Sequence, residues 1–195
     1  MKPKVDTEKE IKIFDELILK LSERDSQDKI KNMMETIGDR YFTSPASGST
    51  NKHDAFPGGL LHHSLQVTAN FKKLCNLFYP EVQESSVILC GVFHDLGKIG
   101  SLDGKELYVP VKEQWKKDRG NVYEYNPDIR DGLTHAQRSV RILSYFEIQL
   151  TDIEYLAILA HDFLFLDENQ IYRNKMNKLS YLLHWADVST TLLDK

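Results

Sequence analysis

The residues with the clearest chemical potential lie in one short stretch, VILCGVFHDLGKIG at positions 87–100. Its first half is apolar on all sides, which predicts a helix buried in a core. His94 and Asp95 follow in that apolar stretch, and Lys98 comes one turn later on the same side. A buried carboxylate beside a buried imidazole is costly unless a hydrogen-bonded partner or a cation compensates it. The stretch alone therefore indicates either a buried His–Asp hydrogen bond or a pair of metal ligands.

A pair of adjacent histidines, His62 and His63, lies in a segment that the apolar spacing predicts as a helix from about Leu60 to Phe78. His63 falls on the stripe of apolar residues at positions 60, 67, 71, 74 and 78. His62 instead shares the polar face with Gln66. We therefore predict that His63 points into the core and that His62 lies at the surface.

Three later segments each place one further histidine or aspartate at a core-facing position. Thr134 is typical of a helix N-cap, and His135 follows it in the first turn. The apolar segment IEYLAILA predicts a buried helix that ends just before His161. In the last helix, predicted over 179–193, Asp187 lies on a mostly apolar face.

These core positions together form a mixed set of imidazoles and carboxylates without a thiolate: His63, His94, Asp95, His135, His161 and Asp187. Facing side chains inside helix bundles commonly build metal sites, and this ligand chemistry suits iron, manganese or zinc better than calcium. A single catalytic ion needs fewer protein ligands, because one position must stay open for water or substrate. We therefore expect two divalent ions bridged by Asp95, iron or manganese, with zinc, nickel or magnesium as alternatives.

A pair of ions roughly 3.5–4 Å apart can hold a hydroxide nucleophile and the oxygens of a phosphoryl group together. We predict Asp95 and Lys98 as catalytic residues, with the Lys98 ammonium neutralising phosphate charge in the transition state. Arg138 lies three residues after His135 and is a second candidate for binding the phosphate.

The composition is that of an ordinary globular protein of one domain. The chain has 195 residues, of which 41% are hydrophobic and 28% charged, and its net charge of -4 argues against a general nucleic-acid coat protein. Cys75 and Cys90 are predicted to be structural thiols in a reducing compartment. No apolar run approaches the roughly 20 residues of a membrane span, and the N-terminus carries no apolar signal region. We expect a cytoplasmic protein that forms no stable complex with nucleic acid, and the oligomeric state is left open.

The remaining segments are predicted to support the site. Amphipathic patterns indicate packing helices over 7–24 and 28–37, with Gly38 as the stop of the second. The polar loop that follows contains His53, which is either an exposed histidine, the commoner case, or a ligand contact. The polar, tyrosine-rich insertion near 103–131 is predicted as a small hairpin or loop over the pocket. Its aromatic residues either stack on a nucleotide base or simply anchor a surface excursion.

The sequence resembles the HD-domain superfamily of metal-dependent phosphohydrolases, in particular its small bacterial and phage-type members, in five segments: GGLLHHS (58–64), FHDLGKIG (93–100), LTHAQRSV (133–140), ILAHD (158–162) and LLHWADVSTTLL (182–193). The resemblance implies an all-α fold, a single HD-type helical bundle over 1–195. Residues 1–42 would form N-terminal packing helices, and 58–193 would form the metal-binding core.

The resemblance also implies roles for the individual side chains. Matching positions in the family bind a core ion, here through His63, His94, Asp95 and Asp187. His135 and His161 would complete the site of a second ion, and Lys98 would contact the phosphate. The implied function is hydrolysis of a phosphoester or phosphoanhydride, most simply of a nucleotide, by a metal-bound hydroxide. The alternatives are an HD-type di-iron oxygenase, whose ligands follow the same order, and a non-catalytic nucleotide-binding module.

Overall fold

Helices make up most of this computed structural model, which describes residues 5–22, 24, 27–163 and 167–193. The α-helices of the described chain are α1 (Thr7–Leu19), α2 (Gln27–Thr43), α3 (Gly59–Phe78), α4 (Glu84–Phe93), α5 (Gln114–Lys117), α6 (His135–Tyr145), α7 (Asp152–Leu159) and α8 (Lys178–Leu193). Short 3-10 turns form at Leu96–Ile99 and Asp167–Tyr172. This arrangement confirms the predicted all-α fold. Within the described ranges, no helix combines the length and apolar composition that a membrane crossing requires.

The helix α3 lies at the centre of the packing, because its most extensive contacts are with α8 and α4 and it also contacts α1 and α2. Val67 and Phe71 of its inward stripe are fully buried, whereas Phe78 at the end of the stripe is 55% exposed. His63 lies on this stripe and has no exposed surface. His62 is partly exposed and hydrogen-bonds with Glu10 of α1. The choice of His63 as the inward histidine, made from periodicity, is confirmed.

The buried helix predicted for the first half of 87–100 is present as α4, but the helical spacing assumed from His94 to Lys98 is wrong. α4 ends at Phe93, the backbone leaves helical geometry at Asp95 (φ -101°, ψ 10°), and the 3-10 turn follows. The break lets this segment pack tightly on α6: a Cβ atom added at Gly97 would lie 2.0 Å from the carbonyl oxygen of His135. Ser139 of α6 secures the turn, since its hydroxyl donates to the His94 carbonyl and accepts from the Gly97 N–H, both at 2.8 Å.

The two N-terminal helices differ from prediction at their ends. α1 ends at Leu19 instead of continuing over the predicted 7–24, a range of which residue 23 lies outside the described chain. Gly38 does not stop α2, which runs on to Thr43. The reason is tertiary packing: Tyr41 is fully buried one turn beyond the glycine and donates a hydrogen bond to the Val92 carbonyl at 2.7 Å. Contacts of this kind override the weak helical propensity of glycine.

The predicted insertion is a small hairpin built from β1 (Tyr108–Pro110) and β2 (Tyr123–Tyr125), with the short helix α5 between the strands. The strands pair antiparallel, and Tyr108 opposes Tyr125 with their rings stacked at 5.3 Å. A β-bridge between Ser49 and Asn121 ties the hairpin to the loop that precedes α3. The insertion and this loop therefore form one surface layer.

A buried ion pair connects the residues after α1 to the start of α7. The Arg24 guanidinium donates to both carboxylate oxygens of Glu154, at 2.5 and 2.9 Å, and the Glu154 side chain is 1% exposed. Glu154 also caps α7, because its carboxylate accepts from the Thr151 N–H at 2.8 Å. Burial alone would raise the pKa of Glu154, but hydrogen bonds from Arg24 and Ser86 outweigh it and hold the pKa below its ordinary value.

We predict that Arg24→Ala lowers the free energy of unfolding by about 3 kcal/mol, since it leaves a buried carboxylate unpaired. The folded pKa of Glu154 lies below the unfolded value of about 4.3, so its stabilising effect is present above that pH and disappears as the pH falls. The stability difference between the wild type and Arg24→Ala should therefore narrow on acidification. Urea denaturation at several pH values measures both effects.

The matched control is Lys20→Ala, whose ion pair with Glu84 is half exposed on both sides. A pair of this kind contributes at most about 1 kcal/mol. Equal losses in the two variants, or a difference that does not depend on pH, would contradict a structural role for the buried pair.

Candidate metal centre

All the side chains that the sequence singles out as metal ligands meet in the interior, although they come from separate segments. His63 projects from the first half of α3, and Asp187 projects from α8. The others stand at helix ends: His94 and Asp95 directly after α4, His135 as the first residue of α6, and His161 just beyond α7. Thr134 forms the predicted N-cap of α6, with a reciprocal capping box to Gln137 that fixes where His135 emerges.

Asp95 is the centre of this cluster, because its two carboxylate oxygens face different pairs of histidines. Its Oδ2 lies 3.5 Å from His63 Nε2 and 3.4 Å from His94 Nε2. Its Oδ1 lies 3.3 Å from the Nε2 atoms of both His135 and His161. Asp95 is 1% exposed, so this arrangement is shielded from bulk water.

Two of the histidines are oriented by the backbone of the helix they follow. His94 Nδ1 hydrogen-bonds to the Gly91 carbonyl at 2.8 Å, and His161 Nδ1 bonds to the Ile158 carbonyl at 2.7 Å. A carbonyl only accepts, so the hydrogen of each ring sits on Nδ1 and Nε2 is left to face the cluster. Histidine ligands in metal sites are commonly fixed by such a bond from the other ring nitrogen.

Several carboxylates lie close together in the cluster, and their negative charges shift the pKa values of the neighbouring groups. Burial opposes the ionised form of Asp95, but Lys98 and His94 outweigh it and hold the pKa of this carboxyl well below its ordinary value. Burial lowers the pKa of His94, which favours the neutral imidazole that a metal requires. Burial acts in the same direction on His161, but the nearby Asp162 and Asp95 carboxylates raise its pKa to about 10.

The buried polar atoms of the cluster indicate, independently of any family resemblance, that these side chains fit a metal. Among the described residues, several buried polar atoms at the cluster have no hydrogen-bond partner: His63 Nδ1 and Nε2, His94 Nε2, Asp95 Oδ1, Asp162 Oδ2 and Asp187 Oδ1. Unpartnered buried polar atoms are costly and therefore rare. Ligand atoms of His63, His94 and Asp187 lie within 4.8 Å of one another, as do those of two neighbouring triplets. Cations bound here would compensate those of the atoms that face the cluster, whereas His63 Nδ1 points away from it and lies 3.9 Å from Asp54 Oδ2.

Lys98 and Arg138, the predicted phosphate contacts, occupy different environments. Lys98 is buried and its Nζ lies 2.6 Å from Asp95 Oδ2. Burial disfavours its charge, but Asp95 outweighs this and raises the pKa of the ammonium above its ordinary value. The Arg138 guanidinium is held by the Asp131 carboxylate at 2.7 and 3.2 Å and by the Leu133 carbonyl at 3.1 Å. Its donors are therefore largely engaged by the protein.

A cavity of about 470 Å³ opens beside the cluster, between the hairpin of β1 and β2 and the start of α6. His135 and Asp162 of the cluster are among its lining residues, as is Arg138. The lining also includes Lys52, Leu107, Tyr125, Asn126, Ile129 and Leu133. A small molecule in this cavity would therefore reach one side of the cluster directly.

Two residues at the centre were not predicted as site residues from the sequence. Asp162 Oδ2 lies 3.0 Å from His135 Nε2, and a signal for it was present, because His161-Asp162 repeats the His94-Asp95 doublet. The ring of His53 lies against that of His63, with centroids 4.4 Å apart and planes tilted by 31°, so His53 is not the exposed loop histidine that was favoured. Burial is the main reason that the pKa of His53 falls to about 3.

Imidazoles and carboxylates gathered inside a helical bundle define the class of protein, a bundle whose buried cluster could hold divalent metal ions. The model of the HD domain family matches residues 60–191, and the chain belongs to this family, as the sequence motifs predict. The family consists mostly of metal-dependent hydrolases that bind divalent metals. No curated protein and no solved structure matches the chain.

We predict that Asp95→Ala lowers the content of bound metal at least about tenfold, because both oxygens of this carboxylate face ligand pairs. The measurement is elemental analysis of protein that has been loaded with Mn²⁺ and freed of excess ion by gel filtration.

His62→Ala is the matched control, since it removes the neighbouring imidazole, which packs against α1 outside the cluster. It should bind metal like the wild type. If His62→Ala loses the metal while Asp95→Ala retains it, the assignment of the cluster is wrong.

Proposed function

We propose that the protein is a metal-dependent phosphohydrolase that acts on a nucleotide or a related phosphoester or phosphoanhydride. The observation that carries the proposal is the position of the cavity, which reaches the buried His/Asp cluster at His135 and Asp162. Divalent ions bound in such a cluster activate water as a nucleophile and polarise phosphoryl oxygens. The ligand chemistry favours iron or manganese.

Lys98 has the properties needed for neutralising charge on a transferred phosphoryl group. Its ammonium is buried, stays charged because of Asp95, and lies at the cluster itself. A fixed positive charge in a site shielded from water stabilises developing negative charge more strongly than one in bulk solvent. Arg138 has a different role in this proposal: it lines the cavity with Asp131, and the ion pair between the two fixes this part of the wall.

The lining of the cavity favours a substrate with a flat organic part over an isolated phosphate. Leu107, Ile129 and Leu133 contribute apolar surface, and Tyr125 contributes an aromatic ring that is stacked on Tyr108 and 66% exposed. An exposed ring held in place by a second ring is suited to stacking against a base. These features support a nucleotide as the substrate class.

A screen for phosphate release tests the proposal. The Mn²⁺-loaded and Fe²⁺-loaded proteins are incubated without oxygen with mono-, di-, tri- and cyclic nucleotides, and released phosphate and nucleosides are measured. We expect turnover of at least one nucleotide under these conditions. No product from any nucleotide, combined with oxygen uptake on another substrate, would identify an oxygenase instead. Tight nucleotide binding without product would identify a binding module.

We predict that Lys98→Ala lowers kcat by about 10²–10³-fold while leaving the metal content close to that of the wild type. The rate of phosphate release and elemental analysis on the same preparation separate these two effects. Lys105→Ala is the control, because this lysine is exposed and pairs with Asp103 on the surface. Loss of the metal in Lys98→Ala would show that the ammonium maintains the cluster instead of acting on the substrate.

A further inference from the structure

We propose that Asp162 is a metal ligand: it would bind a second cation as Asp187 would bind the first. The first half-site is His63, His94 and Asp187, and the second half-site is His135, His161 and Asp162. Asp95 lies between them and offers one oxygen to each. This inference rests on the metal centre of the proposed function but not on the reaction that the centre catalyses.

The two half-sites have matching geometry. In the first, His63 Nε2 lies 3.0 Å from Asp187 Oδ1, and in the second, His135 Nε2 lies 3.0 Å from Asp162 Oδ2. The distances from the histidines to the nearer Asp95 oxygen are 3.3–3.5 Å on both sides. Each half-site therefore consists of two imidazoles, one terminal carboxylate and one oxygen of the shared carboxylate.

A third triplet, made of His94, Asp95 and His161, also brings its ligand atoms within 4.8 Å of one another. It does not define a third cation, because His94 and His161 each have only Nε2 free for a metal, Nδ1 being bonded to a backbone carbonyl. An ion bound between them would take one imidazole from each half-site. The triplet is therefore the bridge between the half-sites.

The residues on either side of Asp162 are anchored by α8 and by the 3-10 turn at Asp167–Tyr172. His184 of α8 hydrogen-bonds through Nδ1 to the His161 carbonyl at 2.8 Å, and Asn169 donates to the Phe163 carbonyl at 2.8 Å. Phe163 adopts a left-handed conformation with φ 52°, which turns the chain directly after Asp162. Asp162 Oδ2 is fully buried without a hydrogen-bond partner, as Asp187 Oδ1 is in the first half-site. Both terminal carboxylates thus present an uncompensated oxygen to the cluster.

Metal stoichiometry tests this assignment without a substrate. Metal-free wild type, Asp162→Asn, Asp162→Ala and Asp187→Asn are titrated with Mn²⁺ by equilibrium dialysis and elemental analysis, and electron paramagnetic resonance detects coupling between neighbouring Mn²⁺ ions. Circular dichroism of each variant confirms its helical content. Asp152→Asn is the control, because it removes an exposed carboxylate at the start of α7.

We expect the wild type and the control to bind about two Mn²⁺ ions per chain with a coupled spectrum. Asp162→Asn and Asp162→Ala should each bind one ion tightly, with the second weakened at least about tenfold and the coupling lost. Asp187→Asn should likewise bind one ion tightly, with the other weakened and the coupling lost.

Two results would overturn the assignment: Asp162 variants that bind two coupled ions with unchanged affinity, or a wild type that binds a single ion at saturation. A wild type that binds two ions but releases phosphate from no nucleotide would refute the proposed function and leave the role of Asp162 standing.

Discussion

The burial of one carboxylate, Asp95, between four imidazoles is the constraint on which the rest of the structure depends. A buried charge is tolerated only where opposite charge, hydrogen bonds or a cation compensates it. Here Lys98 pairs with Oδ2 of this carboxylate, while Oδ1 has no hydrogen-bond partner among the described residues. To bring these groups to one point, the chain has to end α4 after Phe93 and pack the following turn onto α6. The hydrophobic core stabilises the fold, and the end of α4 places His94 and Asp95 where they meet the side chains of the other segments.

Three of the four imidazoles around Asp95 lie at the ends of helices: His94, His135 and His161. His94 and His161 come directly after α4 and α7, and each bonds to a carbonyl of the helix it leaves. The C-terminal ends of helices carry partial negative charge, which favours cations. The turn after each helix also fixes the direction in which the histidine points. The side chain therefore loses less conformational entropy when a ligand binds. His63 and Asp187 supply the complementary positions from within α3 and α8.

The features predicted correctly from the sequence are those that periodicity and capping control. Helical spacing separates His63 from His62, and the Thr134 cap locates His135 at the start of α6. Where the chain leaves regular structure, no period remains to indicate which way a side chain points, and this is why His53 and Asp162 were not assigned to the cluster. The helix break before Asp95 was also missed, because it follows from contact with α6, a segment about 40 residues away in the sequence.

The cluster is buried at its centre and partly exposed at three of its outer side chains. The side chains of His63, His94 and His161 are at most 1% exposed, whereas those of Asp187, His135 and Asp162 are 16%, 18% and 25% exposed. Of the three partly exposed side chains, His135 and Asp162 line the cavity, so a small molecule in the cavity would meet the second half-site. Exclusion of water strengthens every electrostatic interaction at the buried side. This geometry accommodates a molecule whose small reactive group enters beside His135 while its larger part remains in the cavity.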